Sequence, residues 1–282
     1  MSLVVNTNIG SQIAQRSLYN AGTASNITMQ RLSTGLRINS AADDSAGLSL
    51  SKKLSSQVSA SDITRLNVET GVNMAQTAEN DLAIVQENLQ RMRDLAVQGA
   101  NGVYASSERK MLDTEFQSRL SEIDRIAKSS KFSTLNLLDR DATGLVLQVG
   151  TNSEDEDRID ISAVFGDFQV TTTSRLSMLA GSGVNVTTQA TARAMITTVS
   201  TAISAISTAR SVLGSTINRL QGTISRIDIR KQSMSSALSG IQDTDIAKET
   251  AELTRTQILK QAATSMLQQV NQTPQLALAL LQ

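Results

Sequence analysis

The stretch that decides the fold is ITTVSTAISAISTARSVLGSTINRLQGTISRIDIRKQSMSSALSGI, residues 196–241. Its large apolar residues follow one another in alternating steps of three and four, and Arg210 and Lys231 fill the gaps. The row consists of Ile196, Val199, Ile203, Ile206, Leu213, Ile217, Leu220, Ile224, Ile227, Met234, Leu238 and Ile241. This seven-residue repeat predicts one long helix that hides a narrow seam against other helices. A helix of about 45 residues is about 70 Å long, which favours a structural or assembly role over catalysis.

The two charged residues in the stripe have a structural interpretation. Polar residues at seam positions usually fix the register of neighbouring helices or extend their charged ends to solvent. We expect this of Arg210 and Lys231, in preference to a ligand channel along the stripe.

The composition suits a thin seam better than a round core. Hydrophobic residues make up 40% of the chain of 282 residues, but aromatic residues only 2%, and Trp is absent. The 26 basic and 26 acidic side chains cancel, so no basic surplus indicates nucleic acid or an anionic membrane as a partner. No apolar run approaches the roughly 20 residues that span a bilayer, and the N-terminal residues do not resemble a secretory signal peptide.

The absence of two residue types limits the chemistry. The sequence has no Cys and no His, and therefore lacks the usual thiol nucleophile, the usual general base near neutral pH and the commonest metal ligand. We expect no enzyme activity, no cofactor and no metal. The acidic run at residues 154–157 lacks the spacing of a calcium loop and is interpreted as a solvated hairpin tip. Asp43 and Asp44 are interpreted as helix caps, not as a catalytic pair.

Other segments complete a nearly symmetric order of elements. Helical spacing over residues 6–38 is followed by a turn-rich stretch at residues 38–47. A new helix is expected to begin near Asp44. It should run to the stop at residues 99–102, with Leu82, Val85, Leu89, Met92 and Ala96 in its seam. Ser106 is expected to cap the next helix, which ends near Ser129 and places Leu112, Phe116, Leu120, Ile123 and Ala127 on one face. A last helical segment covers residues 243–282, where Pro274 either begins a short final helix or kinks a continuous one.

The middle of the chain reads as extended structure. Residues 145–149 and 158–164 have the composition of strands, and residues 168–171 are a possible third. The sequence therefore predicts a mainly α fold. It has long antiparallel coiled-coil helices, a small β-hairpin element near residues 143–173, and termini that pair as helices. The terminal helices are apolar with little to cover them, which marks them as interaction surfaces.

Several blocks in this order resemble bacterial flagellin. Near the N-terminus they are VNTNI at 5–9, LSTGLRIN at 32–39, ADDSAGL at 42–48, and LQRMRDLAVQGAN at 89–101. Near the C-terminus they are DTDIA at 243–247, QILKQAATSML at 257–267 and NQTPQ at 271–275. The middle is short, so the chain is similar to a minimal, core-only flagellin without large outer domains.

The resemblance implies a subunit that assembles with its own copies into the flagellar filament for motility. Residues 1–43 and 245–282 would form the inner tube of the filament, and residues 44–244 the surrounding helical layer. The implied partners are an export chaperone, the cap protein and hook-junction proteins. The implied location is outside the cell after passage through the flagellar export channel, or alternatively a periplasmic flagellum. Candidate assembly residues are Ile9, Ile13, Leu32, Leu253, Leu259, Met266, Val270, Leu278 and Leu281.

The resemblance also implies a host partner. Arg91, Leu95 and Glu115 stand where flagellins contact the Toll-like receptor that detects them, a patch expected to be accessible in the monomer and masked in the filament.

Two other classes stay open on the sequence. A cytoplasmic signalling coiled coil shares the Ala- and Ser-rich heptads but usually has membrane spans and a helical tip. A hook-filament junction protein shares the architecture but is present in few copies.

Overall fold

The computed structural model of the protein describes residues 7–139, 145–162, 165–166, 168–170, 175–181 and 183–279. The helices are α1 (Ile9–Thr34), α2 (Ser45–Gly99), α3 (Ser106–Ser129), α4 (Gln189–Gln242) and α5 (Ile246–Ala279). The strands are β1 (Lys131–Phe132), β2 (Leu135–Asn136), β3 (Val146–Gln148) and β4 (Arg158–Asp160). The predicted mainly α fold with a small β element is confirmed. At 54 residues, α4 is longer than expected and extends to about 80 Å.

The ends of the first two helices follow from local chemistry. The side chain of Asn8 accepts a hydrogen bond from Ser11 N at 3.0 Å and caps α1. Gly35 ends α1 in the left-handed region at φ 71°, which glycine adopts without strain. Asp44 Oδ1 accepts a hydrogen bond from Gly47 N at 2.8 Å ahead of α2, as expected for a cap.

The turn between α2 and α3 corrects one expectation. Ser106 is the first residue of α3 and not its cap. Ala105 holds the cap position, and its N–H donates to Glu108 Oε2 at 2.8 Å. Arg109 then closes the turn, because its Nε donates to the carbonyl of Gly99 at 2.9 Å at the end of α2.

The chain divides into two compact units. We call residues 1–58 with 232–282 the terminal unit, and residues 59–231 the central unit. Helices α2 and α4 contribute residues to both. The sequence-based division into 1–43 with 245–282 and 44–244 concerns layers of an assembly, and stays a prediction.

In the central unit, five of the nine members of the predicted α4 stripe lie in the seam. Five of its members repeat every seven residues and are buried: Val199, Ile206, Leu213, Leu220 and Ile227. The other members, Ile196, Ile203, Ile217 and Ile224, are only partly buried beside the core. The row that completes the seam is mostly small, namely Met195, Ala202, Ala209 and Thr223. Small side chains carry little apolar periodicity, so the sequence did not reveal them.

Helix α2 is covered on more than one side. The predicted members Leu82, Val85, Leu89, Met92 and Ala96 are all fully buried, as expected. Helix α3 adds Phe116, Ile123 and Ala127 to the same core, while Leu112 and Leu120 are partly buried against it. Phe116 and Phe168 are fully buried, so the few aromatic residues support a broader core than the narrow seam that we expected.

Charged pairs fix the register of α2 and α4. Arg210 lies 2.5 Å from Glu79 Oε1 and donates to Gln86 Oε1 at 2.8 Å. Lys231 lies 2.5 Å from Asp62 Oδ1, so residues later on α4 meet residues earlier on α2 and the helices are antiparallel. These contacts support the register interpretation.

The middle segment contains the predicted hairpin in shortened form. Strands β3 and β4 pair antiparallel, with Leu147 opposite Ile159. The acidic tip forms a short 3-10 turn at Asp155–Asp157, and Asp157 Oδ2 accepts a hydrogen bond from Asn152 N at 2.8 Å. Residues 163–164 of the predicted second strand and residues 140–144 before the first lie outside the described residues.

Two further details of the middle differ from the sequence-based expectation. Residues 168–170 form no strand; Phe168 is instead buried, and its N–H donates to Leu138 O at 2.9 Å. Strands β1 and β2 form a second antiparallel pair of two residues each, too short to produce a periodic pattern.

Candidate assembly surface

The terminal unit is built on the antiparallel pair α1 and α5. At one end Asn8 Nδ2 donates to the carbonyl of Val270 at 3.2 Å. At the other end Arg31 Nη1 lies 3.4 Å from Glu249 Oε1. The expectation that both chain ends pair as helices is therefore confirmed for the described residues. Helix α5 is continuous through Pro274, so of the two alternatives for this residue the separate final helix is wrong and the continuous helix is correct.

Small and short side chains form the seam between these two helices. The buried residues of α1 are Ala14, Ala21, Ser25 and Thr28, and those of α5 are Glu249, Thr256 and Ala263. Most repeat every seven residues, as in a coiled coil, but large residues are missing from the set. A Cβ on Gly10 would lie 2.9 Å from Val270 Cγ1, so the helices also approach closely at this end. We call this set of buried residues the small seam.

The large apolar side chains of both helices lie outside the small seam. The exposed ones are Ile9, Ile13, Tyr19, Ile27, Met29, Ile246, Ile258, Leu259 and Met266. Ile9 and Ile13 expose 63% and 60% of their surface, although each could fill a helix seam. We call these nine residues the bulky face. Such a concentration of exposed apolar residues is typical of a protein–protein contact surface.

The structure assigns different positions to the predicted assembly residues. Ile9, Ile13, Leu259 and Met266 belong to the bulky face. Leu32, Leu253 and Val270 are partly buried. Leu278 lies in α5 beyond the last described side chain, and Leu281 lies outside the described residues.

Backbone hydrogen bonds join the segment that follows α1 to the segment that precedes α5. Arg37 N donates to Gln242 O at 2.7 Å, and Thr244 N donates to Gly35 O at 3.0 Å. The guanidinium of Arg37 donates to Ile241 O at 2.5 Å. Sequence patterns did not indicate this bridge, because it joins residues about 200 positions apart in non-periodic segments.

The predicted receptor patch is only partly accessible. Arg91 and Glu115 form a two-point ion pair across α2 and α3, with Nε–Oε1 and Nη2–Oε2 distances of 2.8 and 3.1 Å. Hydrogen bonding from Arg91 lowers the pKa of the Glu115 carboxyl, and the same bond raises the pKa of Arg91. Leu95 is 0% exposed and belongs to the buried core to which α2, α3 and α4 all contribute. Of the three predicted residues, only Arg91 and Glu115 present atoms to a partner.

Charged and amide groups surround this pair. Arg119 Nη2 lies 3.8 Å from Glu115 Oε1, and Arg119 Nη1 donates to the buried Asn88 at 3.3 Å. Together they border a shallow hollow lined by Ile84, Glu87, Asn88, Arg91, Arg119 and Glu122. Five of the six lining side chains are polar or charged, and Arg91, Arg119 and Glu122 take part in ion pairs, so the hollow offers a docking geometry and not a reactive group.

The described residues contain neither a candidate membrane span nor a candidate metal site. None of the helices has, within the part described, a segment that is long and apolar enough to cross a bilayer. Nor do His, Cys, Asp or Glu residues in the described ranges gather in groups of three that could hold a metal ion.

Comparison with known proteins decides the family. The model of the bacterial flagellin N-terminal helical region matches residues 5–143, and that of the C-terminal helical region matches residues 196–281. A flagellin from Halalkalibacterium halodurans is 38% identical over 99% of this chain and 100% of its own length. The chain belongs to the bacterial flagellin family. The resemblance seen in the sequence blocks is thereby confirmed, including the compact form without large outer domains.

Other relatives of this flagellin agree. The flagellar filament 33 kDa core protein of Treponema phagedenis is 32% identical, with 99% of this chain and 100% of that protein covered. A solved structure of a putative flagellar hook-associated protein from Vibrio parahaemolyticus has a TM-score of 0.56 and 17% identity. It covers 71% of this chain and 100% of that one, and shows a likeness of fold alone.

This flagellin is a structural subunit of the bacterial flagellar filament, whose copies polymerise with one another. The expected function is confirmed, and with it the expectation of a structural family. The family match favours this function over the two alternatives, a signalling coiled coil and a hook-filament junction protein.

Proposed function

We propose that the bulky face of α1 and α5 is the surface through which neighbouring copies pack in the filament. The supporting observation is the sorting of side chains by size: the fully buried residues of the two helices are mainly small or short, whereas nine large apolar side chains are exposed. A helix pair that served only itself would gain more by burying its Ile and Leu residues. Each such side chain contributes about 1.5–3 kcal/mol when it leaves water, which is available here for contacts between copies.

The proposal includes the layers of the filament. Residues 1–43 and 245–282 line the inner tube, and residues 44–244 form the layer around it. Within this arrangement Leu32, Leu253 and Val270 support the helix pair from partly buried positions, while Ile9, Ile13, Leu259 and Met266 contact other copies. Leu278 and Leu281 are proposed as further contacts on the strength of their apolar sequence context.

A pair of serine substitutions tests the surface. Ile13→Ser and Leu259→Ser remove apolar area from the bulky face without touching the small seam. Each is expected to raise the critical concentration of polymerisation about tenfold, since burying a side chain of this size is worth about 1.4 kcal/mol or more. Sedimentation of seeded filaments measures the critical concentration, and circular dichroism verifies that helix content is unchanged.

The control is an exposed apolar residue elsewhere. Val146 on β3 is 50% exposed, and Val146→Ser removes a similar side chain from the central unit. This variant should polymerise like the parent chain. Equal losses for Val146→Ser and Ile13→Ser would contradict the assignment of the contact to α1 and α5.

We further propose that Arg91 and Glu115 contact the Toll-like receptor for flagellin in the monomer. Their paired charges and the polar hollow beside them support this role. Leu95 has an indirect role. It lies in the buried core and helps to hold α2 and α3 in the arrangement that places Arg91 opposite Glu115. Binding of the Arg91→Ala monomer to the receptor ectodomain tests the proposal, and an unchanged affinity would reject it.

The other proposed partners follow from the bulky face and from family membership. An export chaperone would cover apolar residues of α5 before secretion, and the cap and hook-junction proteins would meet the chain at the filament ends. We place the filament outside the cell, with a periplasmic flagellum as the alternative. Antibody labelling of intact cells distinguishes them, because only an external filament is labelled without permeabilisation.

A further inference from the structure

The thioethers of the described residues range from fully buried to largely exposed. Met74, Met92 and Met195 are buried in the central unit. Met29 and Met266 expose 55% and 59% of their surface on the bulky face, and Met111 exposes 73% on α3. Because the chain has no Cys, methionine is its only sulfur-containing residue. Oxidation of methionine depends on access, so the exposed thioethers are the ones that a dissolved oxidant reaches.

We propose that Met29 and Met266 are oxidation sites at which a hydroperoxide switches off assembly of the free subunit. This inference depends on the proposed packing of the bulky face against other copies. The sulfur lone pair attacks one oxygen of the peroxide, and the S–O bond forms as the O–O bond breaks. Sulfur loses two electrons, and with hydrogen peroxide the departing oxygen takes up the proton and leaves as water.

The consequence follows from the polarity of the product. A sulfoxide carries a strong dipole, whereas the other members of the bulky face are apolar; Leu259, for example, lies seven residues before Met266 on the same side of α5. A packed contact between copies would therefore bury this dipole without a partner, which opposes association. The fold of the subunit itself is spared, since neither sulfur belongs to the small seam or to the central core.

The inference also predicts protection by assembly. In the filament, the bulky face is covered by neighbouring copies, and Met29 and Met266 become inaccessible. The free subunit is then the vulnerable form. Enzymatic reduction of the sulfoxides by methionine sulfoxide reductases restores the thioethers and should restore assembly.

The experiment treats purified full-length subunit with hydrogen peroxide, removes the reagent, and measures seeded polymerisation. Peptide mass mapping counts the added oxygen at each methionine. The critical concentration of the oxidised parent chain should rise about tenfold or more. The double variant M29L/M266L retains apolar side chains that peroxide does not oxidise. Its oxidised and unoxidised samples should polymerise alike, each variant being compared with its own untreated sample.

The matched control is M111L, which removes an exposed thioether from the central unit. It should stay as sensitive to peroxide as the parent chain. If M29L/M266L loses assembly on oxidation as strongly as the parent does, the inference is wrong. Equal oxidation rates of Met29 and Met266 in free subunits and in filaments would also overturn it. Failure of the untreated parent chain to polymerise would instead reject the proposed function, and this inference with it.

Discussion

Arg91 and Glu115 illustrate what an exposed ion pair contributes. Both nitrogen–oxygen contacts are short, but the side chains remain 45% and 36% exposed. Water screens such a pair, so it adds little to the free energy of unfolding. Its contribution is geometric, because the planar guanidinium holds the carboxylate in one orientation between α2 and α3.

The pH dependence of this pair can be predicted with its sign. The pKa of Glu115 is lowered from 4.5, so the folded state binds the proton less readily than the unfolded state. The pair therefore stabilises the fold above pH 4.5, and this contribution is lost as the pH falls through the lower pKa of the folded state. Arg91→Ala should move the pKa of Glu115 upward, measured by carboxyl chemical shifts in a pH titration.

The control for this titration is a neighbouring pair on the same helix. The pKa of Glu122 is lowered chiefly by its hydrogen bond with Arg125. Arg125→Ala should therefore raise the pKa of Glu122 and leave that of Glu115 nearly unchanged. An unaltered Glu115 titration in Arg91→Ala would show that the pair does not form in solution.

At the scale of single elements, α4 shows what the sequence can and cannot reveal. Its existence and its buried row from Val199 to Ile227 follow from large residues at seven-residue spacing. The second buried row of α4, which includes Ala202 and Ala209, does not follow from the sequence. These positions are buried because small side chains fit there, and a search for large apolar residues does not detect small ones. Ile203 was assigned to the seam for the opposite reason, since a large apolar side chain can also lie at the flank.

The candidate site shows the same limit. The apolar character of the terminal helices was visible, and it correctly indicated surfaces that one chain leaves uncovered. The small seam was not visible, because Ala14, Ala21 and Thr28 lie on a different side of α1 from Ile9 and Ile13. Likewise, sequence spacing could not show that Leu95 is buried, since its burial depends on how the helices pack.

The small seam makes a prediction at this scale. Ala21→Leu adds three carbon atoms to a buried position, and overpacking of this kind costs about 1–3 kcal/mol. The substitution should separate α1 from α5 and accelerate amide hydrogen exchange in both helices, measured by mass spectrometry. Ala251→Leu makes the same change at an exposed position of α5 and should leave exchange unaffected. Similar exchange in both variants would contradict close packing at Ala21.

For the whole molecule, the two units differ in how they are held together. Among the described residues, the largest fully buried side chains, from Leu82 to Leu179, all belong to the central unit. The terminal unit buries mainly small or short side chains and keeps its bulky ones outside. Folding buries less apolar surface in the terminal unit than in the central unit. The helices of the terminal unit should therefore open at a lower free energy than the central core.

This difference predicts how hydrogen exchange responds to polymerisation. Amides of α1 and α5 should exchange quickly in the free subunit and slowly in the filament, because other copies cover the bulky face on the proposed packing. Amides of α3 near Phe116 and Ile123 should be protected in both states and serve as the internal reference.

Removal of residues 245–282 should leave a soluble chain that cannot polymerise. Equal protection of α1 in both states, or filaments from the truncated chain, would refute the proposed roles.

The sorting of side chains in the terminal helices separates two properties that often vary together. On the proposed packing, the Ala and Thr positions of the small seam set the stability of the single chain, whereas the exposed Ile, Leu and Met positions set the strength of the contacts between copies. Substitutions at the exposed positions can therefore adjust the stiffness and lifetime of the polymer without destabilising the folded monomer.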